Sequence, residues 1–279
     1  MKWPWAALLS CAALLPREAG AFECTLAGDA AQESRFVTIH WTVRTIPIAI
    51  RSPGSRTVDP TTTQALIEAS FLAWESSRCS DLAFEYRGVV DGTTEPREVS
   101  QVIFQQSRWV DEGRDPSAVA LTTMTYGKLD GDIRFGVIEV NEELFQFADA
   151  RQGCADGASY DLGAVVTHEA GHFIGLAHTR VVPEGDVRAP TMTAVVVPCD
   201  DQFRSLETDD VEGLCFIYPT GREARLCATL PRQDTPYVQG VAFGCAASGQ
   251  GADPAALGLL LLIGMWRLRR ACSPPRSGG

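Results

Sequence analysis

Histidine is scarce in this sequence, with four residues in 279, and methionine is equally rare at four. Basic residues are outnumbered, 24 Lys and Arg against 35 Asp and Glu, for a formal net charge of −11. Without a basic surplus there is no electrostatic footprint for a phosphate backbone, which excludes nucleic acid as a partner. None of the nine cysteines forms a C-x-x-C pair, which argues against a cysteine-built zinc site. There is no internal repeat. No apolar run reaches the length a bilayer-spanning helix needs. What remains is 45% hydrophobic residues, enough for a substantial core. The length fits one ordinary domain with extras, or two small ones.

Both ends read as address labels. Lys2 precedes the short apolar run "WPWAALLSCAALL", and Ala19, Gly20 and Ala21 form a small-residue cleavage site. That is the three-part pattern of a secretory signal over 1–21, with a mature chain starting near Phe22. Pro4 and Pro16 fit a core helix poorly. "LLSC", ending at Cys11, is a faint lipoprotein-like feature. Export puts most of the other cysteines in an oxidising space. Cys24, Cys79, Cys154, Cys199, Cys215 and Cys227 then allow up to three bridges, with 15 possible pairings among them. At the far end, "PAALGLLLLIGMW" (254–266) runs into Arg267, Arg269 and Arg270. The basic cluster would stay on the cytoplasmic side, leaving everything before it outside.

Between the labels the elements alternate. "RFVTIHWTV" (35–43) alternates as a half-buried strand, with Val37, Ile39, Trp41 and Val43 on one face and His40 on the polar one. Asp59 and Pro60 mark a helix start, and Leu66, Ile67, Phe71 and Trp74 recur at helical spacing over 60–77. Strands are expected at 82–88, 99–105, 117–126 and 133–141. Helices are expected at 160–176, with Asp161 near its start, and at 206–219, with Thr208 as cap and Asp209 and Asp210 in the first turn. This order describes an α+β domain. The stretch 221–253 is rich in Gly, Ala, Pro and Gln and reads as a linker.

Three of the four histidines crowd into "VVTHEAGHFIGLAHT" (165–179). His168 and His172 are four apart, so a helix stacks them on one face, where two imidazoles can share one metal ion. Gly175 lets the helix stop and the chain turn, bringing His178 to the same ion. Three nitrogen ligands leave one position open, the mark of a catalytic rather than a structural zinc. Glu169 directly follows the first ligand and projects beside the metal, where it can accept a proton from water and pass it to a leaving amine. His40 is read as an ordinary surface or lining residue.

The extended pattern H-E-x-x-H-x-x-G-x-x-H resembles the metzincin proteases. "APTMTA" supplies Met192 where those proteases carry a methionine turn. Thr179 after the third histidine, Ala194 where other metzincins place a tyrosine ligand, and "LETDDVEGLCFIYP" (206–219) resemble the matrixins in particular. The resemblance is strong over 160–219 and coherent over 36–141. It implies a metzincin catalytic domain over 22–220: a twisted mixed sheet, two upper helices and one C-terminal helix. It also implies a zinc endopeptidase, with Asp209 and Asp210 as a pair tying the last helix to the methionine turn. An extended polypeptide substrate would pair with an edge strand, for which "AVALTTMTY" (118–126) is the candidate. "VVVPCDDQF" (195–203) would wall the pocket beyond the scissile bond.

The resemblance has departures. No room for a blocking prodomain lies between Ala21 and the first strand, and Cys24 is read as a disulfide partner before a short cysteine switch. "LDGDIRFG" and "CADGASYD" offer oxygen ligands of the kind calcium takes, a second candidate cofactor after zinc. The tail, with Gly244–Cys245, a short apolar span and an arginine cluster, resembles the C-terminal sorting segments of exported myxobacterial proteins. That implies surface display, engagement of 254–279 with a membrane or a sorting protease, and Cys245 as the residue processed. The chain is read as a monomer. The competing readings are an inactive zinc-binding or adhesive module of the same fold, and a zinc hydrolase of a non-peptide substrate.

Overall fold

The computed structural model describes residues 22–27, 36–154, 157–179, 188–227, 237–243 and 245–247. The signal segment and the apolar tail therefore lie outside the described residues. Six strands form the main sheet: β1 (Thr45–Arg51), β2 (Ala83–Val90), β3 (Ser100–Gln105), β4 (Ala120–Gly127), β5 (Ile133–Asn141) and β6 (Tyr237–Phe243). Their order is β6-β4-β5-β3-β1-β2. β2, β1, β3 and β5 run parallel, while β4 is antiparallel to β5 and β6 antiparallel to β4. With helices α1 (Pro60–Glu75), α2 (Leu162–Phe173) and α3 (Thr208–Ile217), the architecture is α+β, as the sequence pattern implies.

β1 is the strand that sequence patterning missed. Ile46, Ile48, Ala49 and Ile50 are all buried because the strand sits between parallel neighbours with both faces covered. A continuous apolar run has no alternation to read, and Pro47 argues locally against a central strand. Pro47 lies just before the first pairing with β3, at Ile48. The strand expected at 35–43 is instead a short piece outside this sheet, Val37–Thr38 paired with Leu26–Ala27. Val37, Ile39 and Trp41 do point into the core, but Thr38 and His40 are buried too and Val43 is half exposed. The alternation failed because the chain bends at 42–44 to enter β1.

α1 begins where its capping chemistry requires. The Asp59 carboxylate accepts from the Thr61 and Thr62 amides, and Pro60 takes the first position. Leu66, Ile67, Phe71 and Trp74 are all buried. They bring α1 against α2, where the Trp74 indole N–H donates to the Thr167 carbonyl (2.9 Å) and the Ser70 hydroxyl to the Gly163 carbonyl (3.0 Å). α3 is shorter than the expected 206–219, and its cap lies one residue before the expected Thr208. Glu207 is the N-cap and Thr208 is already helical, because the Asp210 carboxylate reaches back to the Glu207 amide (2.8 Å). Past its end, the buried Tyr218 hydroxyl donates to the Ile174 carbonyl (2.7 Å) and accepts from the Trp41 amide (3.0 Å).

The six cysteines pair as Cys24–Cys227, Cys79–Cys215 and Cys154–Cys199. Cys24 is thus a disulfide partner, and the short-switch alternative falls. Within 221–253, read as a linker on composition, Tyr237–Phe243 is strand. Its "YVQGVAF" carries β-branched and aromatic residues that the surrounding Gly and Ala mask.

Tyr218→Phe should keep the ring in place while leaving the Ile174 carbonyl and Trp41 amide without their buried partner. A loss of about 1–3 kcal/mol in unfolding free energy is expected, read by denaturant titration.

Candidate metal centre

The start of α2 is fixed by one buried carboxylate. Asp161 caps the helix through the Ala164 amide (2.6 Å) and also receives the Ala150 amide (2.8 Å) and the Arg204 guanidinium (2.6 Å from Nε). All 12 residues of α2 are buried. His168 and His172 therefore sit one turn apart with no freedom to swing out. After the helix, Gly175 adopts φ +95°, and a Cβ there would lie 2.2 Å from the Ile39 carbonyl oxygen. Only glycine makes this turn. Leu176–Ala177 then pairs antiparallel with Glu23–Cys24, and the Thr25 amide donates to the Gly175 carbonyl (2.8 Å). That pairing aims His178 back at the helix.

The three Nε2 atoms converge, with separations of 3.1, 3.1 and 3.2 Å. His168 Nδ1 lies 2.6 Å from the Thr191 carbonyl and His172 Nδ1 2.8 Å from the Leu176 carbonyl. Only an N–H can face a carbonyl oxygen, so each of these rings carries its lone pair on Nε2. Burial pushes His168 down to about 3, with His178 nearby adding to the shift, and burial likewise lowers His172 and His178. Neutral imidazoles whose lone pairs meet at this distance repel unless a cation lies among them. Zinc–nitrogen bonds of about 2.0–2.1 Å in tetrahedral geometry place nitrogens about 3.3 Å apart. The observed triangle fits that ion. Among the described residues this is the one group of three or more such ligands close enough to share a metal.

Glu169 is fully buried beside them. Its Oε2 accepts from the Thr122 hydroxyl (2.7 Å) and its Oε1 from the Cys245 amide (3.2 Å). Burial pushes the carboxyl up to about 7 against these hydrogen bonds. Thr122 and Cys245 were not assigned to this carboxylate on sequence, since both contacts span many residues. Thr122 lies on β4, the strand expected to serve as substrate edge.

Met192 is buried under α2. A Cβ at Gly171 would come within 2.2 Å of the Met192 sulfur and 2.7 Å of the Trp74 ring, so the missing side chain is what admits both. Gly171, between the two helix ligands, carried no role in the sequence reading. The two aspartates divide clearly. Asp210 accepts from the Thr191 amide (2.8 Å), the Met192 amide (3.0 Å) and the Glu207 amide. Asp209 makes none of these bonds. The Thr191 carbonyl in turn faces His168, and the Thr179 amide donates to the Met192 carbonyl (2.9 Å), so Asp210 steadies two ligands at one remove.

Among the described residues of the segments proposed for calcium, two carboxylates are already engaged within the protein. Asp132 accepts from Thr42 and pairs with Arg134 (2.7 Å), and Asp161 serves α2 and Arg204. His40 is buried, its Nδ1 3.0 Å from the Thr38 carbonyl. It lines a groove with Asp132, Arg44 and Asp81, apart from the three histidines.

A buried three-histidine centre with a carboxylate beside the first ligand, on this α+β frame, is a metallopeptidase-type centre. A family model for the matrixins matches residues 40–219, well over half of the chain, and the chain belongs to the matrixin family, whose members use zinc. No curated protein matches it.

Two variants test the construction. Asp210→Asn should lower stability by at least about 1.5 kcal/mol in denaturant titration, while Asp209→Asn, which leaves all three bonds intact, should cost much less. His178→Ala should weaken zinc binding, measured calorimetrically, beyond the roughly 10–100-fold that losing a ligand's orienting partner costs.

Proposed function

We propose that this chain is a zinc endopeptidase acting outside the cell, secreted or displayed at the surface. The observation that carries the reading is the convergence of His168, His172 and His178 Nε2 with the Glu169 carboxylate held beside them. Bound there, zinc supplies a Lewis acid that polarises a peptide carbonyl and makes water more acidic. Glu169 takes the proton from the attacking water and returns it to the nitrogen of the leaving amine. Burial raises the carboxyl above its ordinary range, which favours both accepting and returning the proton near neutral pH. The Thr122 hydroxyl fixes which oxygen of Glu169 remains turned to the reaction. Gly175, Met192 and Asp210 hold the ligands without touching substrate. An extended polypeptide would pair along β4 in the place β6 takes in this structure, with the loop from Val195 on the far side of the cleft.

Three disulfides support an oxidising destination, as does the signal-like pattern of 1–21. No helix among the described residues is long and apolar enough to cross a membrane. The sorting role of 254–279 rests on its sequence pattern. The buried, hydrogen-bonded Glu169 weighs against an inactive module, because a site that only held metal would have no use for a costly buried carboxylate.

Glu169→Ala decides the mechanism. The wild-type chain loaded with zinc should degrade unstructured casein and lose that activity to a chelator. The variant should bind zinc comparably and be slower by about 100-fold or more. A wild type that cleaves nothing across a broad peptide library sinks the peptidase reading. A variant as fast as wild type sinks the assignment of the base.

A further inference from the structure

The edge of the sheet beside the catalytic carboxylate is taken by the chain itself. β6 pairs antiparallel with β4, Tyr237 opposite Gly127 through Phe243 opposite Thr122, with an irregularity between Gln239 and Ala242. Two residues on, Cys245 is fully buried. Its amide donates to Glu169 Oε1 (3.2 Å) and its carbonyl accepts from the Val119 amide (2.8 Å). Ala246–Ala247 then pair in parallel with Val195–Val196. Residues 237–243, Cys245 and 246–247 thus meet in turn β4, the base and Val195–Val196.

These are the main-chain contacts an extended polypeptide would need, made by an internal segment. Strand addition uses up the free N–H and C=O groups of an edge, and a second strand cannot add to the same edge. Glu169 is engaged as well: Thr122 holds one oxygen and the Cys245 amide the other. The Cys245 amide takes the place a water or a substrate group would need at Oε1.

We propose that residues 237–243 and 245–247 are an intramolecular, substrate-like occupant of the cleft, and that they must leave β4 and Glu169 before another polypeptide can enter. The inference rests on the endopeptidase reading for its consequence, though the occupancy itself is independent of activity. The occupant is this chain's own C-terminal segment, reached ten residues after Cys227, which is anchored by its disulfide to Cys24.

The test uses the full chain loaded with zinc. One form carries a recognition site for a sequence-specific protease within 228–236, so that the segment can be cut free. A second carries Gln239→Pro and Ala242→Pro, which remove two strand amides. Hydrogen exchange over 119–127 reports occupancy, and hydrolysis of a quenched generic peptide reports access. Release is expected to expose the β4 amides and raise peptide hydrolysis at least about tenfold, the factor for a cleft open one-tenth of the time. Unchanged exchange in both forms overturns the proposal. So does faster exchange with hydrolysis no higher than in the intact chain, where that chain is already active. Faster exchange with no hydrolysis in any form leaves the occupancy standing and sinks the peptidase reading instead.

Discussion

Three neutral imidazoles with their lone pairs turned on one another are the constraint the rest of this structure answers to. Left alone, the rings would rotate apart or take up a proton. Both escapes are closed. Full burial of His168 and His172 disfavours the charged form, and the carbonyls of Thr191 and Leu176 hold those two rings from behind. The protein bears this repulsion so that a cation can relieve it, which couples metal binding to the integrity of the helix–turn unit.

The support reaches further than the ligands. From α3, the Asp210 carboxylate grips the backbone at 191 and 192. The carbonyl at 191 orients His168, and the carbonyl at 192 takes the amide next to His178. Two of the three ligands thus depend on a side chain from α3. Disulfide Cys79–Cys215 ties that helix to the turn just past α1.

What could be read from the sequence was what is local. The pair His168 and His172 follows from helical spacing, the turn at Gly175 from its missing Cβ, and α1 from Asp59, Pro60 and the apolar stripe behind them. Met192 and the aspartate pair came from resemblance, and only geometry separated Asp210 from Asp209, since adjacent positions on a helix look alike on paper. β1 was hidden because a strand covered on both faces does not alternate, and Pro47 disguised it further. Thr122 and Cys245 meet Glu169 across 47 and 76 residues, and no periodicity encodes such a meeting. The three disulfide pairings were beyond spacing arguments for the same reason.

The Cys24–Cys227 bridge has a consequence beyond holding two ends together. It pins the chain ten residues short of the segment that lies on β4, which keeps the tether of this intramolecular docking short. Short tethers give effective concentrations on the order of millimolar. A segment with an intrinsic dissociation constant in that range would fill the cleft half the time, though the same peptide free in solution at micromolar levels would scarcely bind. The bridge therefore allows a weak, easily displaced sequence to act as a gate, and reducing it would lengthen the tether and loosen the gate without altering a single contact in the cleft.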